Sequence, residues 1–288
     1  MKSVLILTDF SAAARCAAER ALAIAAKFNA EVWLVNVYPI TPYLPPVGTT
    51  MVPVLTADQK RRESMGKLNR EVRRLERVKL HKLSGQPQIV RPIALEGQLA
   101  ERVAALAHRK KSLLIVMGAS EKSYGGLLFK GEVKDVLEQA HCPVLATPAD
   151  WGGPCIRHIL FATDLTMEDE PVIGKLVDFA ARLEARLTIG HVSHPVLIPD
   201  FAEESRISVF GEKIKRAYPA IRYTSQRAFN VADALKKIST EKGPDVIALR
   251  YRKHPFWYHL FHENPLKELL TQGEKPLLIF PETALRYE

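Results

Sequence analysis

Leu5-Ile6-Leu7-Thr8-Asp9-Phe10-Ser11 returns 155 residues later as Leu160-Phe161-Ala162-Thr163-Asp164-Leu165-Thr166. At the same offset Ala25-Ala26-Lys27-Phe28-Asn29-Ala30-Glu31-Val32 falls on Ala180-Ala181-Arg182-Leu183-Glu184-Ala185-Arg186-Leu187. A short apolar run, a helical stretch and a second apolar run thus recur without a gap. Toward the ends of the two copies the offset becomes 133. There Leu114-Ile115-Val116-Met117 aligns with Ile247-Ala248-Leu249-Arg250, and Pro143-Val144-Leu145 with Pro276-Leu277-Leu278. A period this long marks a duplicated domain, not a solenoid repeat. Two domains, 1–150 and 151–288, are expected, joined around Ala149-Asp150-Trp151-Gly152-Gly153-Pro154, whose glycines and proline suit a short linker. At 288 residues the chain can bury a core in each.

Each copy alternates apolar runs with helical patterns. In the first, Val4–Leu7, Glu31–Val37, Ile89–Leu95, Leu113–Met117 and Pro143–Thr147 read as strands. Helices are expected from Ser11, as N-cap, to about Phe28, from an Asp58 cap to near Gly85, over Gln98–Arg109 and over Gly131–Ala140. Residues 41–53, with four prolines, read as a long loop. The second copy repeats the scheme, with helices that include 231–242 and 265–272. Buried strands separated by helical crossovers require parallel pairing, so the expected fold is α/β, two tandem doubly wound parallel five-stranded sheets. On such sheets ligands lodge at the carboxyl ends of the strands, beside the switch point, which places Asp9, Val37 and Gly118 around one crevice.

Composition narrows the function classes. Hydrophobic residues at 47% and charged residues at 25% describe a globular protein, and no apolar run reaches the length of a membrane span. The N-terminal segment reads as a first strand, not a signal peptide. Three cysteines give no disulfide framework, and cytoplasmic location is the expectation. The net charge of +9 is concentrated in the first copy, chiefly in Asp58 to Ser84, which holds ten basic and four acidic side chains. Glu63, Glu71 and Glu76 interleave with Lys67, Arg74 and Lys79 at helical pairing distances, as on a solvated helix face. No aromatic interleaving accompanies the charge, so nucleic acid is not the expected partner.

A first strand ending in Thr-Asp-Phe-Ser, an Ala-rich first helix, LVNVYP on strand two, LLIVMG on strand four and HCPVLATP on strand five together resemble universal stress protein domains. The resemblance spans both halves. It implies an adenine nucleotide alpha hydrolase-like fold, with the two domains packed as an intramolecular pseudo-dimer in which each fifth strand extends toward the other domain's sheet edge. It also implies a nucleotide site in ATP-binding members: Asp9 on the ribose, the Val37 backbone on adenine, Thr8 and Met117 along the cavity, and a glycine-rich loop on the phosphates. That loop keeps its spacing here with Gly118 and Gly131, but Glu121 and Glu132 stand where a glycine and a Ser/Thr belong. Asp9 reads equally as a capping acid, and Gly118 and Gly131 as a strand-end turn and a helix start.

In the second copy the same alignment sets Tyr251 at the place of Gly118 and Asn264 at that of Gly131, with Pro255, Phe256, Trp257 and Tyr258 between them, so phosphate cannot be cradled there. His254, His259, His262 and Glu263 match no strong metal spacing, and Cys142 reads as a core-edge thiol. No Gly-x-Ser-x-Gly elbow, Walker loop or nucleophile–base pair occurs. The expectation is a stress-response binding or regulatory protein with no chemistry of its own, no metal and no required cofactor. Its partner is a protein, and the chain is a pseudo-dimer that can pair into a homodimer, with no membrane association. The alternative is a sensor holding AMP, ADP or ATP in the first domain only, with at most slow ATP hydrolysis.

Overall fold

The computed structural model describes residues 2–40, 56–82, 89–119, 128–148, 151, 155–163, 165–193, 201–227, 243–251 and 275–285. The expected loop 41–53, the expected helices 231–242 and 265–272, Glu121, Asp164 and the stretch from His254 to Asn264 lie outside them. The first half runs β1 (Ser3–Leu7), α1 (Ala12–Lys27), β2 (Glu31–Tyr38), α2 (Ala57–Lys82), β3 (Val90–Glu96), α3 (Leu99–Arg109), β4 (Ser112–Ala119), α4 (Leu128–Gln139) and β5 (Val144–Pro148). The second runs β6 (His158–Thr163), a 3-10 turn (Met167–Asp169), α5 (Glu170–Leu183), β7 (Arg186–Ser193), α6 (Phe201–Ala217), β8 (Arg222–Arg227), β9 (Val246–Arg250), β10 (Leu277–Phe280) and a final 3-10 turn (Glu282–Leu285).

All ten strands form one sheet in the order β3-β2-β1-β4-β5-β10-β9-β6-β7-β8. Every neighbouring pair is parallel except β5 and β10, where the two five-stranded halves meet antiparallel with Leu277 opposite Ala146 and Ile279 opposite Val144. Pairing there satisfies the backbone of two fully buried apolar strands that would otherwise be open edges. The outer edge strand β3 carries Pro92, which cannot donate to a further strand. Helices flank the seam. The Phe28 and Phe179 rings lie 5.0 Å apart, Lys27 reaches Glu184 at 2.7 Å, and the Tyr251 hydroxyl donates to Glu138 at 3.1 Å. Thr283 donates to the Ala140 carbonyl, and Arg20 to that of Trp151.

The duplication is written into strained backbone. Phe10 and Leu165, 155 residues apart, both sit at positive φ (67° and 63°), as do Asn29 and Glu184 (48° and 57°). A bulky residue in that region costs about 1–3 kcal/mol. The turn is held identically in both halves: the Phe10 N–H donates to Thr8 Oγ1, and the Leu165 N–H to Thr163 Oγ1, each at 3.0 Å. Burial of both side chains against the core offsets the strain.

Two local expectations need correcting. Helix α2 is capped by Thr56, not Asp58, which lies in its first turn. The Gln59 N–H donates to Thr56 Oγ1 and the Thr56 N–H donates to Gln59 Oε1, a reciprocal capping box. Helix α4 begins at Leu128, so Gly131 lies inside it and is not its start. The cap on α1 is Ser11, as expected, accepting from the Ala14 N–H at 3.2 Å.

Candidate functional site

The carboxyl ends of β1, β2 and β4 gather Thr8, Asp9, Val37, Met117 and Gly118 at one end of the first half-sheet. Thr8 is buried, and its N–H donates to the Val35 carbonyl. Its own carbonyl accepts from Asn36 Nδ2 at 2.7 Å, and Asn36 in turn accepts from Ser64 of α2. This chain of hydrogen bonds ties the loop after β1 to strand and helix. Asp9 is exposed and accepts from the Ser11 N–H at 2.9 Å, an Asx turn that leads into the Ser11 cap. Val37 pairs with Leu95 across β2 and β3 and packs against the core cluster in which Met117, Leu5 and Leu7 are buried. Gly118 presses on the start of α1: a Cβ there would lie 2.5 Å from the Ala13 carbonyl carbon and the Ala14 nitrogen.

Glu132, one residue past Gly131 on α4, faces the same corner. Its carboxyl is held above the usual range by partial burial and by the Asp9 and Asp135 carboxylates. A raised folded-state value means the folded protein binds the proton more readily than the unfolded chain does, so charged Glu132 opposes folding above that value. Glu132→Gln should therefore raise the melting temperature at neutral pH. The gain should shrink to nothing as pH falls below the ordinary glutamate range, a trend that paired thermal melts will check.

The second half settles its corner differently. Strand pairing sets Ile6 opposite Val116 and Phe161 opposite Ala248. Val116 and Ala248 share one core face, Met117 and Leu249 the other. The offset at strand four is thus 132, not 133. A one-residue slip exchanges the faces of a strand. The counterpart of Gly118 is Arg250, not Tyr251.

Arg250 is buried, with Nη2 2.8 Å from Glu168 and Nη1 3.4 Å from Asp169. Those two acids are the counterparts, at offset 155, of Ala13 and Ala14. Where the first half packs Gly118 against two alanines, the second inserts an ion pair between the same elements. The helix start makes room. Pro171 has no N–H for the Met167 carbonyl, so residues 167–169 wind as a 3-10 turn and α5 begins at Glu170. Thr163 Oγ1 donates to Asp169 at 2.7 Å, and His191, the counterpart of Asn36, bonds the Thr163 carbonyl at 3.0 Å. Tyr251 instead crosses to Glu138 of the first half. Burial pushes the Cys142 thiol up to about 12, which leaves it unreactive. Among the described residues no group of three potential ligands could hold a metal ion, and no helix is long and apolar enough to cross a membrane.

A ten-stranded, nearly all-parallel sheet built from two matching halves, each with its strand-end corner, defines a tandem α/β protein. Residues 1–148 match the model of the universal stress protein family, and the chain belongs to that family. A universal stress protein of Methanocaldococcus jannaschii is 31% identical over 147 residues, covering 50% of this chain and 80% of the relative. The whole chain shares its fold with a universal stress protein from Archaeoglobus fulgidus (TM-score 0.71, 14% identity, 96% of this chain and 97% of the other). It shares it also with a putative universal stress protein from Pseudomonas aeruginosa (TM-score 0.62, 16% identity, 99% and 95%).

Proposed function

We propose that the chain is a stress-response binding protein that works through association, without chemistry of its own, as an intramolecular pseudo-dimer of residues 1–150 and 151–288. The observation that carries this reading is the pair of strand-end corners. One is filled by the buried Arg250–Asp169 pair, which exposed Glu168 joins from the surface, and the other is ringed by Asp9, Glu132 and Asp135. Neither arrangement favours a triphosphate: the Arg250 side chain occupies one corner, and the carboxylates of the other repel further negative charge. The antiparallel β5–β10 pairing and the Phe28–Phe179 contact support the pseudo-dimer. A cytoplasmic location and a further homodimer go with the same reading.

A second reading has its own support. Thr8, Asp9, Val37, Met117 and Gly118 converge at one sheet end of the first half, as an adenosine pocket with the ribose on Asp9 requires. Gly131 of α4 is, in this reading, the further residue on the phosphate side. In this reading an adenine nucleotide with few charges, AMP or ADP more readily than ATP, sits in the first half only and is sensed. Denaturing the purified protein and analysing released small molecules by mass spectrometry separates the two. No stoichiometric nucleotide is expected. AMP or ADP at a substantial fraction of the chain establishes the sensor, and ATP at one per chain overturns both the preference and the electrostatic argument.

A further inference from the structure

The charge of α2 is sorted by its contacts. Facing inward or sideways, Arg74 reaches Glu71 and Glu19, Arg15 reaches Glu71, and Lys67 reaches Glu63 at 2.6 Å. Glu71 is buried, so this inner set is neutralised within the fold. Leu68 and Leu75 bury the same side of the helix. Arg62, Arg70, Arg73 and Arg77 are all exposed and make no ion pair among the described residues; Arg77 Nε donates only to the Arg73 carbonyl. At 3.6 residues per turn the four fall within a sector roughly 80° wide, and they span roughly 22 Å of helix. Gly66 lies in the same sector with open space above it, leaving the centre of the stripe accessible. Glu76 and Glu63 mark its two margins.

From this sorting we infer that the outer face of α2 docks an acidic helical segment of a partner protein. The inference rests on the reading of the chain as a binding protein and supplies the chemistry of its partner. Guanidinium groups recurring every three to eight positions match carboxylates spaced at one or two turns along a facing helix, and the planar fork of each arginine can hold a carboxylate through two bonds. The marginal glutamates repel a continuous phosphate backbone, which has no gaps in its charge. They tolerate a partner that carries discrete acids along one stripe and cations beside it. The absence of an aromatic residue among the exposed positions of the stripe removes the stacking platform that a single-stranded nucleic acid would use.

The test uses the full chain and a labelled 24-residue alanine-based peptide carrying glutamates along one helical stripe, with a scrambled peptide of equal composition as comparison. Fluorescence anisotropy at low and physiological salt should show at least tenfold tighter binding of the striped peptide, weakening with salt. Arg70→Glu/Arg73→Glu/Arg77→Glu, with circular dichroism to verify the fold, should abolish that preference. The charge reversal Lys215→Glu/Arg216→Glu on α6 should leave it intact. Equal binding of the scrambled peptide, equal loss in the α6 variant, or tighter capture of a 20-base-pair duplex or of anionic vesicles through the same arginines would each overturn the inference. None of these readouts depends on nucleotide, so failure here is distinguishable from failure of the function proposed above.

Discussion

Arg250→Met is expected to cost about 3 kcal/mol of stability, against less than about 1 kcal/mol for Lys27→Met at an exposed ion pair. The side chains of Arg250 and Asp169 are only 6% and 3% exposed, whereas those of Lys27 and Glu184 are 48% and 79% exposed. Removing the guanidinium strands a carboxylate away from water, and that desolvation dominates the cost. Thr163 still donates to Asp169, which keeps the loss toward the lower end for a broken buried pair. Arg250→Met/Asp169→Asn should recover part of it, since an uncharged amide no longer needs a cation. Arg250→Lys should not, because one ammonium cannot bridge Glu168 and Asp169 as the fork does. Denaturant titration of these four variants together with Asp169→Asn alone, which closes the cycle, will give the coupling. A cost for Arg250→Met no larger than that of Lys27→Met would show that the cluster is solvated and that the second corner is not closed by it.

The architecture was legible because it rests on patterns that sequence displays directly. Apolar runs of four to six residues, Ser11 before an Ala-rich stretch and a period of 155 need no tertiary knowledge. The strand-four register was not legible. Ile247, Ala248 and Leu249 are apolar and buried on both sheet faces, so no alternation distinguishes an offset of 132 from one of 133. Only the pairing with β6 decides it. That single residue hid Arg250, and with it the link from Arg250 to Glu168, Asp169, Thr163 and His191. The signal available was the exchange of Ala13-Ala14 for Glu168-Asp169 at the repeat offset, two new acids at a helix start that call for a cation. Helix α2 shows the same limit. The Lys67–Glu63 spacing was readable, but Glu71 turns inward to Arg15 on α1, more than fifty residues away in the chain. The positions of Thr8, Asp9, Val37, Met117 and Gly118 at strand ends were readable; that Glu132 faces Asp9 depends on where α4 returns over the sheet.

Gly118→Ala should destabilise the first half by about 3 kcal/mol, the upper part of the range for forcing a methyl group into a packed site. The added carbon would meet backbone atoms of Ala13 and Ala14 at 2.5 Å, and backbone at a helix start cannot swing aside as a flexible side chain would. Either β4 or the first turn of α1 must move, and Ser11 pins that turn through the Ala14 N–H. Gly66→Ala is the matched control. Nothing lies within 4 Å of its missing Cβ, and a glycine inside a helix is less favourable than alanine by about 0.8 kcal/mol, so that variant should gain stability. The second half shows how a side chain at the strand end becomes tolerable, through the 3-10 entry enforced by Pro171. Introducing Cys16→Pro, its counterpart at offset 155, together with Gly118→Ala should thus cost less than the sum of the two single changes. Denaturant midpoints of the three variants test this directly. Strict additivity would mean that the helix entry and the glycine are independent, and that close packing of α1 on β4 does not explain why this corner keeps a glycine.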